Sequence, residues 1–361
     1  MTEPDWREVM RSCERGLYGR RPRPAAQRLR EAADALAPDA APDGYGEGAV
    51  VEELEARVAA LLGTEAAVLM PTGTMAQQIA LRIHCDRRGT RTVAFHPTCH
   101  LELHEHAAYA HLHGLVAELV GARDRLIGLD DLELLHGPLG ALLLELPQRE
   151  IGGRLPEWDD LLAQVGWARE RGAAVHLDGA RLWEAAPYYD RDPAELAGLF
   201  DSVYVSLYKG LGGLAGSVLA GPTELVDEAR VWRRRHGGAL YALFPLAAAA
   251  THGLDELLDR MGEFLAHARA LAGALREVPG ISVVPDPPQT ALFHLHLHGD
   301  RDALWERMLT VAHDRRVWLA HRPAPTVIDG VCRIELHLGE PSLEVSPAEA
   351  AELLAQVVAE G

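Results

Sequence analysis

Short apolar runs bounded by glycine or charge recur along the chain at Ala66–Met70, Thr92–Phe95, 139–146, 173–177, 202–207 and 214–220. Between most of them lie stretches whose apolar residues fall three and four apart, at 51–62, 73–85 and 157–171. Short continuous apolar runs read as buried strands and the 3.6-residue period as helices. Strands alternating with helices predict an α/β fold with a mainly parallel sheet covered on both faces. From about residue 255 the texture changes. A long Leu/Ala/Arg helical stretch at 254–278 is followed by strand-like Ile281–Val284, 291–298 and 331–338, then by a closing helix from Pro347. This pattern predicts a smaller C-terminal α+β domain. The first 45 residues, rich in Arg, Pro and Ala, read as an arm with one helix. The expected division is therefore an arm at 1–45, a large domain at 46–253 and a small domain at 254–361.

Length and charge narrow the classes. A chain of 361 residues, 48% hydrophobic, suits two globular domains. Thirty-five basic against 53 acidic residues leave a formal charge of −18, which argues against nucleic acid, because phosphate binding needs a basic surface. No apolar run approaches the roughly 20 residues of a membrane span. The first residues, with Glu3, Asp5, Arg7 and Glu8, lack the apolar core of a secretory signal. Cys13, Cys85, Cys99 and Cys332 show no CxxC spacing, the usage expected of reduced thiols in a cytoplasm.

The basic residues resolve into 34 arginines and one lysine, Lys209. Either residue serves as a surface charge, but only an ammonium can lose its proton and become a nucleophile. In a parallel α/β sheet, ligands sit beyond the carboxyl ends of the strands, and three such ends stand out. After Ala66–Met70 comes Pro71-Thr72-Gly73-Thr74, small residues at a helix N-terminus whose free N–H groups form a phosphate cradle. After 173–177 comes Asp178-Gly179-Ala180-Arg181, which taken alone is equally a helix cap with a surface ion pair. After 202–207 comes Tyr208-Lys209-Gly210-Leu211-Gly212-Gly213, so the single lysine lies at a strand end in a glycine-rich turn. Pyridoxal phosphate is the chemistry that needs this set. A lysine forms a Schiff base with its aldehyde, a carboxylate keeps its ring nitrogen protonated, a helix N-terminus holds its phosphate and an arginine clamps the substrate carboxylate.

The segments that carry a resemblance run from residue 45 to residue 221. They are Tyr45-Gly46-Glu47, the stretch from Glu65 through Pro71-Thr72-Gly73-Thr74 to Ala76, His176-Leu177-Asp178-Gly179-Ala180-Arg181, and Leu207-Tyr208-Lys209-Gly210-Leu211-Gly212. A weaker echo continues through Trp232 to Gly238. In order and spacing the chain resembles the low-specificity L-threonine aldolases of the beta-eliminating lyase family, within the fold-type I (aspartate-aminotransferase-like) pyridoxal phosphate enzymes. The resemblance implies Lys209 as the Schiff-base lysine, Asp178 as partner of the pyridine nitrogen, and Thr72, Gly73, Thr74 and Ser206 around the phosphate. It implies Arg181 and Arg333 on the substrate carboxylate. His100 matches the histidine that stacks on the cofactor ring and helps deprotonate the substrate hydroxyl. The implied assembly is a homodimer or homotetramer, since resembling enzymes build each site from two subunits.

The departures fall on the substrate side. Where the family carries a Ser-Asp-Thr segment this chain has Arg11-Ser12-Cys13. Where it has a catalytic histidine after the fourth strand, Gln148 follows Glu145-Leu146-Pro147, and glutamine is no general base. The serine usual before the lysine is Tyr208, and a Met-Arg-Gln run is replaced by Ala239-Leu240-Tyr241.

Eighteen histidines raise the question of a metal. His100, His104 and His111 share roughly one helical face, His106 and His113 another, and His294, His296 and His298 one side of a strand. No acidic or cysteine ligand completes a zinc spacing, so no metal is expected, and the last three are expected as a stripe facing solvent or a subunit. The expected activity is cleavage of a threonine-like β-hydroxy-α-amino acid to glycine and an aldehyde. The rivals are β-elimination, transaldolation or transamination on the same cofactor, and a non-catalytic cofactor-binding protein.

Overall fold

The computed structural model describes residues 5–359. They form two compact units, one of residues 24–150 and 155–258, the other of residues 5–23, 151–154 and 259–359.

The larger unit is built on seven strands, β1 (Ala66–Met70), β2 (Thr92–Phe95), β3 (Val116–Leu119), β4 (Ala141–Glu145), β5 (Ala174–Gly179), β6 (Ser202–Ser206) and β7 (Ser217–Gly221). Their order across the sheet is β1-β7-β6-β5-β4-β2-β3. All neighbours are parallel except β7, which runs antiparallel to both β6 and β1. The cause lies in the connection. A parallel neighbour needs a crossover, usually a helix, whereas β6 and β7 are joined by the short glycine-rich loop that carries Lys209. Every residue of β5, β6 and β7 is buried, as their continuous apolar runs require of strands covered on both faces. β3 has no counterpart among the apolar runs read from the sequence, because it is an edge strand with Val116 and Leu119 about half exposed.

The helix Gly73–Arg88 packs against β1, β6 and β7 together with the helix Thr223–Arg235. Met70, Ile79, Ile83, Tyr204, Leu219 and Val226 form one buried cluster there. Burying each large aliphatic side chain contributes roughly 1.5–3 kcal/mol, so the helix whose first turn opens on the site is anchored by core packing. Its ends are set locally. Thr72 Oγ1 accepts the Met75 N–H at 3.2 Å, and Gly89, at φ 64°, closes the other end.

In the smaller unit Ile281–Val284 (β8), Leu292–His298 (β9) and Val331–His337 (β10) form an antiparallel sheet with the short pair Ala324–Pro325 at one edge. Helices Met261–Leu275, Arg301–Arg315 and Pro347–Val358 accompany it. The helix Trp6–Ser12 and the bridge of Arg15–Gly16 to Val317–Trp318 belong to this unit too. The continuous helix expected at 254–278 is two helices, Phe244–Leu257 and Met261–Leu275, parted by a 3-10 turn at Leu258–Arg260 in which no residue is buried. His294 corrects a second expectation. It is 2% exposed rather than facing solvent and lies 3.6 Å from Glu335 across the β9–β10 pair, while His298 at the other end of β9 is exposed. The shared face of β9 thus passes from core to surface along the strand.

Candidate active site

The carboxyl ends of β5 and β6 and the N-terminus of the helix Gly73–Arg88 surround a cavity of about 380 Å³, lined by Thr72, Gly73, Thr74, His100, Asp178 and Lys209 with Gln77, Glu105, Tyr204 and Tyr208. Asp178 is 2% exposed. Its Oδ2 accepts the Gln77 amide at 2.7 Å and its Oδ1 accepts the Ala180 N–H at 3.1 Å. Gln77 lies one helical turn beyond Gly73, so it shares the face of the helix that opens the cavity. The first N–H groups of that helix have no intrahelical acceptor, and the helix dipole favours an anion there. Glycine is required at position 73 because a Cβ would collide with Tyr204 Oη.

Lys209 follows β6 in a tied turn. Ser206 Oγ accepts the N–H groups of both Tyr208 and Lys209 at 3.4 Å, the Gly213 N–H donates to Leu207 O at 2.8 Å, and Gly212 stands at φ 67°. Ser206 does not line the cavity. Its buried hydroxyl first shapes the lysine turn, leaving its own proton as what it can offer a ligand. Burial, and then the guanidinium of Arg181, bring the Lys209 ammonium down to about 8. An amine of this kind is neutral far more often near pH 7 than an exposed lysine. Arg181 caps the helix Leu182–Tyr189, and its buried Nε has no hydrogen-bond partner.

His100 opens the short helix His100–Leu103 and presents its ring to the cavity. Its Nδ1 meets Glu105 Oε1 at 3.0 Å, and Glu105 Oε2 accepts the Gln78 amide at 2.9 Å. A carboxylate on Nδ1 draws the proton to that nitrogen and leaves Nε2 as the basic one.

Arg333 lies on β10 of the smaller unit, opposite His296. His104 contacts Glu150 at 3.0 Å, and His113 stacks on His236 at 4.9 Å. Among the described residues no group of three His, Cys, Asp or Glu side chains is arranged to hold a metal ion.

The residues present fit pyridoxal phosphate. One cavity offers a buried carboxylate, a half-buried amine of lowered basicity and a helix N-terminus, the donor set that a pyridine nitrogen, an aldehyde and a phosphate require. Sequence reasoning missed Gln77, Gln78, Glu105 and Glu145. Glu145 ends β4 in register with Asp178 on β5, so the strand-end rule that singled out Asp178 also points to it. Gln77 was open to the helical-spacing rule, whereas the Glu105–Gln78 pair closes only in three dimensions.

This fold, with the single lysine and a buried carboxylate at neighbouring strand ends, defines a fold-type I α/β enzyme scaffold. A family model described as beta-eliminating lyase matches residues 23–298. The low-specificity L-threonine aldolase 1 of Arabidopsis thaliana is 31% identical over 67% of this chain and 70% of its own. A solved Listeria monocytogenes protein, described as a candidate L-allo-threonine aldolase, is 37% identical with a TM-score of 0.93 over 98% of each chain. A solved Exiguobacterium protein, described as a candidate aromatic amino acid beta-eliminating lyase/threonine aldolase, is 40% identical with a TM-score of 0.92 over the same share. The chain belongs to the beta-eliminating lyase family of pyridoxal phosphate-dependent lyases.

Proposed function

We propose that this enzyme cleaves a β-hydroxy-α-amino acid of the threonine type to glycine and an aldehyde, with pyridoxal phosphate held by Lys209, Asp178 and the Thr72-Gly73-Thr74 cradle. The observation that carries the reading is the meeting of Lys209, Asp178 and an oriented His100 in one cavity. When bound, the cofactor supplies an aldehyde that captures amines and a pyridine ring that accepts electrons released at the substrate α-carbon. Asp178, fixed by Gln77, holds the ring nitrogen. Gly73 and Thr74 present N–H groups to the phosphate, and the Thr74 hydroxyl adds a donor. Lys209 is the amine that would hold the cofactor through its aldehyde. His100 Nε2 takes the proton of the β-hydroxyl, the step that lets the Cα–Cβ bond break towards an aldehyde, and Glu105 stabilises the imidazolium that results. Arg181 binds the substrate carboxylate, and Arg333 has the second such role that the resemblance implies.

The proposal extends to a homodimer or homotetramer, supported by the exposed pair Tyr45 and Tyr241, whose rings meet edge to face at 5.6 Å. It extends to a cytoplasmic setting, supported by four buried cysteines that remain thiols. No helix among the described residues is long and apolar enough to cross a membrane. β-Elimination is the second reading, favoured by Gln148 near the place where the family carries a catalytic histidine. The deciding experiment incubates the loaded protein with threonine, allo-threonine and serine and assays glycine, aldehyde and keto acid separately. Glycine with equimolar aldehyde supports the aldolase, and keto acid without glycine replaces it with the eliminating reaction.

A further inference from the structure

The resemblance sets Ser206 beside the phosphate, yet the residue of β6 that lines the cavity is Tyr204. Tyr204 is 3% exposed, and its ring belongs to the buried cluster of Met70, Ile79 and Leu219. Its hydroxyl end emerges at Gly73, where a Cβ would meet Tyr204 Oη before any other atom. The helix Gly73–Arg88 leaves donors at the same point. Thr72 Oγ1 accepts the Met75 N–H at 3.2 Å and Thr72 O the Ala76 N–H at 3.3 Å, so the N–H groups of Gly73 and Thr74 keep no acceptor within the helix.

The phenol reaches this point as a donor. Ser206, two residues on along the same face of β6, hydrogen-bonds it. Ser206 Oγ already accepts the N–H groups of Tyr208 and Lys209, each at 3.4 Å, so its one proton is what it gives to Tyr204 Oη. The phenol proton is then left for the cavity. Burial, with Asp178 and Tyr208 beside it, pushes the phenol well above its ordinary range and keeps that proton in place. Asp178, opposite Tyr204 in the β5–β6 register, is itself engaged by the Gln77 amide and the Ala180 N–H. Gln77 lies one turn along the helix from Gly73, so the carboxylate and the group of donors occupy different parts of the cavity. An anion is repelled by the first and held by the second.

We propose that the Tyr204 hydroxyl is a phosphate ligand, which completes with the N–H groups of Gly73 and Thr74 a site for a phosphate monoester, and that Ser206 acts behind it on the phenol. The proposal rests on the functional reading above for the identity of the phosphate bearer, pyridoxal phosphate. It gives Gly73 a second reason to lack a side chain, since the space that a Cβ would take is the space through which the hydroxyl meets the helix. It also accounts for a tyrosine whose body fills the core while its polar end opens on a cavity, an arrangement that calls for a hydrogen-bond partner there.

Pyridoxal and pyridoxal phosphate share ring and aldehyde and differ in the phosphate, which makes the test direct. Each is titrated against the full-length protein, and the visible absorbance gives its affinity. Tyr204→Phe keeps the ring and removes the donor. It should weaken pyridoxal phosphate about tenfold or more, the usual worth of a hydrogen bond to a charged group, and leave pyridoxal within about twofold. The ³¹P signal of the bound ester should shift in the same variant. Equal losses for both aldehydes, or no loss for either, overturn the proposal. If Tyr204→Phe does not fold, 4-fluorophenylalanine at position 204 fills the space of the hydroxyl without a proton to donate and gives the same comparison. At that position 4-aminophenylalanine, which donates again, should restore the preference for the phosphate ester. If the wild type binds neither aldehyde, the functional reading falls on its own, and inorganic phosphate on the cofactor-free protein, followed by ³¹P line broadening, decides this one. Binding that Tyr204→Phe weakens sustains the site, and binding that is absent or unchanged overturns it.

Discussion

Gln77 Nε2 lies 2.7 Å from Asp178 Oδ2, both side chains at 2% exposure or less. The amide comes from the helix that begins the phosphate cradle, and the carboxylate from the strand end facing it. The contact therefore ties the strand end that bears Asp178 to the helix that opens on the cavity. Asp178→Asn should leave the cofactor bound and lower kcat by at least about 100-fold, because the ring nitrogen loses its anionic partner. Gln77→Leu should weaken cofactor binding and destabilise the protein by about 1–3 kcal/mol, the cost of an unpaired buried carboxylate oxygen. Equal kcat in Asp178→Asn and wild type would reduce Asp178 to a cap of the following turn.

Borohydride turns a lysine–aldehyde linkage into a stable amine. Apart from the terminal amino group, Lys209 is the one place where this can happen. Peptide mapping should return one dominant phosphopyridoxyl peptide containing Tyr208-Lys209-Gly210, and Lys209→Arg should abolish both adduct and turnover. With its ammonium brought down to about 8, the rate of cofactor capture should rise with pH to that value and then level off. A rate still climbing at pH 10 would contradict the lowered basicity of the amine.

Arg181→Lys should raise the KM for the amino acid about tenfold or more with a smaller change in kcat, since a point charge replaces a two-pronged fork. Arg333→Lys should behave alike if it shares the role implied for it. Steady-state kinetics on both variants checks this. A substrate constant that neither substitution moves would mean a substrate without a free α-carboxylate.

Gly73→Ala should destabilise the protein by about 1–3 kcal/mol, the usual cost of overpacking, because its methyl group meets Tyr204 Oη. Tyr204→Phe removes that oxygen and should recover part of the loss in the double variant. Urea denaturation of the four proteins in a double-mutant cycle measures the coupling, and additive losses would show that the collision is relieved elsewhere.

His176 and His84 share the hydroxyl of Ser202, each at 2.7 Å, beneath the strand end that bears Asp178. Burial lowers His176 to about 4. The folded protein thus binds fewer protons than the unfolded chain between the ordinary histidine range and that value. Stability is intact above about pH 6.5 and falls as pH drops towards 4, by roughly 3 kcal/mol for this residue. Urea midpoints across that window should decline less steeply in His176→Gln.

Much of this molecule was legible in one dimension. Short continuous apolar runs located β1, β2 and most other strands of the larger unit, because a strand buried on both faces must be apolar throughout. The strand-end rule found Asp178 and Lys209, because a parallel sheet with helical crossovers leaves its carboxyl ends free for ligands. Composition isolated Lys209, since arginine can replace lysine as a charge but not as an amine. Only the folded chain decided the rest. β7 turned antiparallel because its connecting loop is too short for a crossover, and β3 escaped notice because an edge strand need not be apolar. Glu105 and Gln78, 27 residues apart, meet only after the turn following His100–Leu103 packs on the helix Gly73–Arg88. Glu145 gained its proton affinity from burial beside Asp178, a property of neighbouring strands rather than of neighbouring residues. Local sequence sets what each segment can become, whereas burial, charge proximity and hydrogen-bond direction depend on which segments pack together.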